Sequence, residues 1–174
     1  MNNEAIRKIT LHGNPFDLSG NPVAVGDVAP DFTAVTEDLG EFKFSAIKQG
    51  KVTILSAVPS LDTPVCDVET RRFNKEAADL DNDIQIVTVS VDLPFAQKRW
   101  CGAAGVDKVT VVSDHKSVAF GNAYGVMIEP LRLLARAVFV VGKDGKIVFS
   151  QIVPEVVDEP DYAAVLDAAK TAAK

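Results

Sequence analysis

The side chains able to do redox chemistry are two cysteines, Cys66 and Cys101. Together with His12 and His115 they could in principle bind zinc, but no ligand spacing supports a metal site. The two cysteines lie much further apart than a C-x-x-C pair, and position 69, where the second cysteine of such a motif would stand, is Glu. A buried cysteine is by default a small apolar residue. Its neighbours decide whether it is more than that.

The segment leading to Cys66 can be read residue by residue. Pro59 ends an apolar run. Pro64 suits the first position of a helix, because its missing N–H would find no intrahelical partner there. Thr63 is then the N-cap and Cys66 the third helical residue, with an N-cap hydroxyl expected to accept a first-turn amide. Helical side chains lean toward the N-terminus, so the sulfur should point at Thr63 and those amides. The helix dipole there favours a thiolate. Asp62, Asp67 and Glu69 oppose it, and a cation is needed to settle the contest.

Arg136 is the candidate cation. It lies in Leu133-Leu134-Ala135-Arg136-Ala137-Val138-Phe139-Val140, an otherwise apolar stretch read as a buried strand. A buried arginine needs an anionic partner. That partner could be a thiolate or a carboxylate. Arg71 and Arg72 share the helix of Cys66 and are more simply solvated charges. Cys101 has the opposite setting, at the end of a short helix over 94–101 stopped by Gly102, where the dipole disfavours an anion. Local electrostatics therefore make Cys66 the attacking thiolate and Cys101 a second-step partner at most.

The elements that must position these groups follow from periodicity and turn residues. The chain should open with a hairpin, in which Ile9 and Leu11 alternate with polar neighbours, Gly13-Asn14 turns, and Phe16 and Leu18 follow. Phe42 and Phe44 suggest a short strand. Strands are expected over 51–58, 84–91 and 109–112, with helices over 64–80, 94–101 and 117–124. Strands over 135–141 and 146–153 flank the turn Gly142-Lys143-Asp144-Gly145, and an alanine-rich helix over 160–173 closes the chain. This alternation predicts an α/β fold of three layers, with a central mixed but largely parallel sheet covered on both faces. Chemistry in such sheets tends to sit beyond the carboxyl ends of the strands, where Cys66 falls.

At 174 residues, 1–174 is expected to form a single domain. Eighteen basic against 24 acidic residues leave a charge of −6, which argues against nucleic acid or an anionic membrane as main partner. No apolar run approaches the ~18 residues of a membrane span. Glu4, Arg7 and Lys8 interrupt the opening ten residues, so no secretory signal is read and a cytoplasmic location is expected.

The stretch Pro59-Ser60-Leu61-Asp62-Thr63-Pro64-Val65-Cys66 resembles the peroxidatic-cysteine loop of peroxiredoxins. The rest is similar to their atypical two-cysteine branch, the bacterial thiol peroxidases. Supporting stretches are His12-Gly13-Asn14-Pro15, Asp92-Leu93-Pro94-Phe95-Ala96-Gln97, Cys101-Gly102, Ala123-Tyr124-Gly125-Val126, Ala135-Arg136-Ala137-Val138 and Glu159-Pro160-Asp161-Tyr162. The resemblance covers nearly the whole chain. It implies a thioredoxin-like fold, with Cys66 as peroxidatic and Cys101 as resolving cysteine. Thr63 and Arg136 would orient the peroxide and stabilise the thiolate, and Pro59 would shield the pocket. It further implies a homodimer, reduction by a thioredoxin-type partner, hydrogen peroxide and organic hydroperoxides as substrates, and no cofactor.

Two alternatives compete. One is a thiol–disulfide oxidoreductase on the same fold, against which Glu69 argues. The other is a non-enzymatic holdase with inert buried cysteines. For the peroxidase reading, a disulfide needs Cα atoms within ~7 Å, a condition that two helix termini on one sheet seldom meet. Local opening is therefore expected during turnover.

Overall fold

The computed structural model describes residues 6–174. The first residues of the opening stretch, read above as lacking a signal core, lie outside the described residues. Strands β1 (Lys8–Leu11) and β2 (Asn14–Asp17) form the N-terminal hairpin as a separate two-stranded sheet. Its turn is His12-Gly13, one residue earlier than expected. Both residues have positive φ, at 51° and 77°, as a two-residue turn matched to strand twist requires.

The main sheet has seven strands. They are β3 (Thr33–Val35), β4 (Glu41–Lys43), β5 (Val52–Ala57), β6 (Ile84–Ser90), β7 (Thr110–Ser113), β10 (Ala137–Val141) and β11 (Ile147–Ile152). The intervening pair β8 (Met127–Ile128) and β9 (Leu133–Leu134) makes a third, small sheet. The main order is β11-β10-β5-β6-β7-β3-β4. Only β5, β6 and β7 run parallel; the other four pairings are antiparallel. The sheet is mixed, as expected, but antiparallel pairings outnumber parallel ones. Helices α2 (Pro64–Ala77) and α3 (Pro94–Ala104) supply the long crossovers that parallel neighbours need, whereas a tight turn such as 142–145 can only reverse the chain. Strand β3 was not anticipated, since three residues with one buried side chain give almost no period. Phe44 does not end a strand but opens the one-turn helix α1 (Phe44–Ile47).

Alternation along the strands divides the core in two. Val138 and Val140 of β10 and Val52 and Ile54 of β5 pack with Phe73 of α2, Trp100 of α3 and Val165 of α5 (Tyr162–Ala173). Phe139, Leu55 and Val87 point the other way, toward Phe44 and toward Phe120 of α4 (Ala119–Ala123). Three layers result, and both cysteines belong to the first face. Among the described residues, no helix is long and apolar enough to cross a membrane.

Two local expectations change. Helix α3 does not stop at Gly102 but continues to Ala104; Gly105 takes the left-handed φ of 67° and donates its N–H to the Cys101 carbonyl. Cys101 therefore sits within the last turn. Arg136 is not in a strand but in the two-residue link between β9 and β10.

Candidate active site

The site lies at the carboxyl end of β5. Pairing of Ala137 with Ala57 brings the residue before β10 beside the point where β5 gives way to the loop into α2. Arg136 is fastened there by its own backbone, whose carbonyl accepts Val153 N–H at 2.9 Å. Helix α2 starts on Pro64 at its first position, with Thr63 as N-cap in extended conformation. Its buried face is Cys66, Glu69, Thr70 and Phe73, a spacing of three, four and seven residues that turns one stripe to the sheet.

Arg136 is 1% exposed and Cys66 fully buried. The guanidinium serves three acceptors. Nη2 donates to Cys66 Sγ at 3.2 Å, Nη1 to Glu69 Oε2, and Nε to the Val156 carbonyl at 2.8 Å. The other Glu69 oxygen accepts the Ser56 hydroxyl at 2.8 Å. Both partners left open for Arg136 by the sequence are therefore present, the sulfur and a carboxylate. Burial opposes the charge of Arg136, but Glu69 and then Cys66 outweigh it and hold the guanidinium more firmly cationic than usual. Burial raises the Glu69 pKa above its ordinary value, against the pull of Arg136 and Ser56.

From sequence, Glu69 is a charge opposing the thiolate and the residue that rules out a C-x-x-C pair. It is instead the buried carboxylate that orients the arginine. The signal was available: an apolar face through Phe73 and Ala77 continues backward through Glu69, and a carboxylate on that stripe needs a cation. The other acids turn away. Asp67 takes Arg71 at 2.8 Å and the Trp100 indole N–H at 3.1 Å, and Asp62 meets Arg99 at 3.4 Å. Arg71 and Arg72 are exposed, with Arg72 over the Tyr162 ring at 4.0 Å.

Thr63 departs from expectation. It occupies the N-cap, but its hydroxyl makes no cap bond and donates to the Ser60 carbonyl at 2.9 Å. The first-turn amides of Val65 and Cys66 thus lack that acceptor and remain suited to an anion. Pro59 is buried in the bend just after β5.

Cys101 is a free thiol, like Cys66. It lines a cavity of about 490 Å³ with Glu37, Lys98 and Val106. Burial, then the Glu37 carboxylate across the same cavity, push this thiol up to about 12 from an ordinary 9.0. Glu37, from the β3–β4 connection, escaped sequence reasoning because nothing local links it to α3. The two sulfurs thus have opposite electrostatic surroundings, a guanidinium for Cys66 and a carboxylate for Cys101.

The redoxin family model matches residues 24–166. The chain is 53% identical over 167 residues to the thiol peroxidase of Bacillus subtilis (strain 168), covering 96% of this chain and 99% of that protein. A crystal structure of a peroxiredoxin-like protein from Aquifex aeolicus superposes with a TM-score of 0.89 at 42% identity, covering 95% of this chain and 97% of that one. Thiol peroxidase from Chromobacterium violaceum shares the fold at a TM-score of 0.83 and 17% identity, covering 94% and 95%. With a thioredoxin-like three-layer fold and relatives of this identity over nearly its full length, the chain belongs to the redoxin family, as one of its thiol peroxidases.

Proposed function

We propose that this thiol peroxidase reduces hydrogen peroxide and organic hydroperoxides with Cys66 as peroxidatic and Cys101 as resolving cysteine. The observation that carries the assignment is the Arg136 Nη2 donor at 3.2 Å from the Cys66 sulfur, at the start of a helix. A cation and open amides surround the sulfur as a nucleophilic cysteine requires. The thiolate attacks the distal oxygen of ROOH and the O–O bond breaks. RO⁻ leaves and takes a proton as ROH, and the distal oxygen stays on the sulfur with its hydrogen, which makes the sulfenic acid. Arg136 and the amides of Val65 and Cys66 stabilise the charge that develops on oxygen, and the Thr63 oxygen, whose own proton goes to the Ser60 carbonyl, orients the peroxide by accepting its O–H. Pro59 shields the sulfur from bulk water.

The Cys101 sulfur, deprotonated, then attacks the Cys66 sulfur. The S–O bond breaks and hydroxide leaves as water. Over both steps one hydroperoxide and two thiols give one alcohol, one water and one disulfide. A thioredoxin-type dithiol restores both thiols by exchange. Residues 1–174 act as one domain, in a homodimer, in the cytoplasm.

The test is thiol consumption coupled to a thioredoxin system, with hydrogen peroxide and an alkyl hydroperoxide. Cys66→Ser loses peroxide reduction, whereas Cys101→Ser reacts once and accumulates sulfenic acid. A Cys66→Ser protein that still consumes peroxide, beside a dead Cys101→Ser protein, reverses the assignment.

A further inference from the structure

The loop between β5 and α2 is held by a side chain from another loop. Asp92 follows β6 directly before α3. Its Oδ1 accepts the Ser60 hydroxyl at 2.6 Å, and its Oδ2 accepts the Leu61 N–H at 2.8 Å and the Ser90 hydroxyl at 2.7 Å. The Ser60 carbonyl in turn accepts the Thr63 hydroxyl, so the clamp reaches the N-cap of the Cys66 helix. On its other side, Ser90 Oγ accepts Gln97 Nε2 at 3.0 Å, and that nitrogen also donates to the Val112 carbonyl at 2.9 Å. Gln97 is buried one turn before Cys101 on α3. A continuous polar chain thus joins the entrance of α2 to β6, β7 and α3, with Asp92 at its junction.

While these bonds stand, the Cys66 sulfur faces Arg136 and Cys101 lines a separate cavity with Glu37. A disulfide requires the two sulfurs to face each other at bonding distance. The arrangement that suits attack on peroxide is therefore not the one that suits the second step.

We propose that Asp92 is a positioning residue that acts on the two steps in opposite directions: its clamp on Ser60 and Leu61 holds the Cys66 loop closed for peroxide attack and restrains the opening that disulfide formation needs. This rests on Cys66 and Cys101 being the reacting pair. Each bond to the carboxylate is charge-assisted and strong for its kind. Weakening the closed state raises the open population by the same factor.

The experiment is stopped-flow Trp100 fluorescence of the reduced protein mixed with hydrogen peroxide. Trp100 is the only tryptophan, adjoins Cys101 and bonds Asp67 beside Cys66. The trace should contain a peroxide-dependent phase and a peroxide-independent one. Asp92→Ala slows the first about tenfold and speeds the second by up to the same factor. Ser60→Ala, which removes one of the bonds to Asp92 and a longer one from the Asp62 N–H at 3.3 Å, gives the same opposed changes at smaller amplitude and serves if Asp92→Ala does not fold. A clamp that merely supported the fold would slow both phases, and that result, an unchanged second phase, or two unchanged phases in a folded variant overturns the proposal. Cys66→Ser and Cys101→Ser are run alongside. If either retains the phase assigned to its own sulfur, the assignment of the pair has failed and not the role of Asp92.

Discussion

Replacing Arg136 with Met probes structure and chemistry together, because the guanidinium serves a sulfur, a carboxylate and a carbonyl at once. Glu69 has no solvent exposure. Without Arg136 its carboxyl keeps only the Ser56 hydroxyl. Breaking a buried ion pair by removing one partner costs about 3–5 kcal/mol. With a urea dependence of ~2 kcal/mol per molar, that lowers the unfolding midpoint by ~2 M. Attack on peroxide also loses a charge-assisted hydrogen bond to the sulfur, about 1.5–3 kcal/mol, hence roughly ten- to hundredfold in rate. The double variant Glu69→Met/Arg136→Met separates the two effects. It leaves no unpaired carboxylate, so most of the lost stability returns, although Cys66, Ser56 and Val156 each lose a partner. Its attack on peroxide stays as slow as in the single variant. Urea unfolding and single-turnover peroxide consumption measure the two quantities. A double variant that attacks at the wild-type rate refutes the role given to Arg136. A single variant that unfolds at the wild-type midpoint refutes the account of the ion pair.

Two other predictions concern titration. Glu37→Gln, made in a Cys66→Ser background, should lower the Cys101 pKa from about 12 part of the way toward 9.0, since burial, the larger cause, remains. Thiolate ultraviolet absorbance against pH measures this, and an unchanged curve removes Glu37 from that thiol's surroundings. Glu155 accepts the Thr10 hydroxyl and the His12, Gly13 and Val157 N–H groups, and the Thr10 bond, its largest influence, helps to depress its pKa from 4.5 to about 2. A carboxylate depressed on folding contributes stability above pH 4.5 that is lost as pH falls toward 2. Hydrogen exchange at the His12 and Gly13 amides should therefore accelerate over that window relative to the rest of the chain, and in Glu155→Gln it should already be fast at neutral pH. Equal protection in the two proteins would show that Glu155 does not anchor the hairpin.

The sequence by itself determined what depends on near neighbours. Pro64 after Thr63 marks a helix start through the missing N–H of proline, and it placed Cys66 in the first turn. The apolar runs before Pro59 and after Asp83 announce buried strands by composition alone. Gly142-Lys143-Asp144-Gly145 announces a reversal. These features carry their cause within a few residues, so the three-layer order was legible. Tertiary structure alone decided which groups meet. Arg136 reaches Glu69 and Cys66 across 67 and 70 positions, Asp92 reaches Ser60 across 32, and Glu37 meets Cys101 from the far end of the sheet. Those meetings follow from strand order and register, set by burying two apolar faces against two helical layers. The Thr63 hydroxyl makes the same point on a smaller scale. Its position was local, but its partner was not settled by position: in the bent loop it donates to the Ser60 carbonyl, where the local pattern alone would have turned its oxygen to the helix.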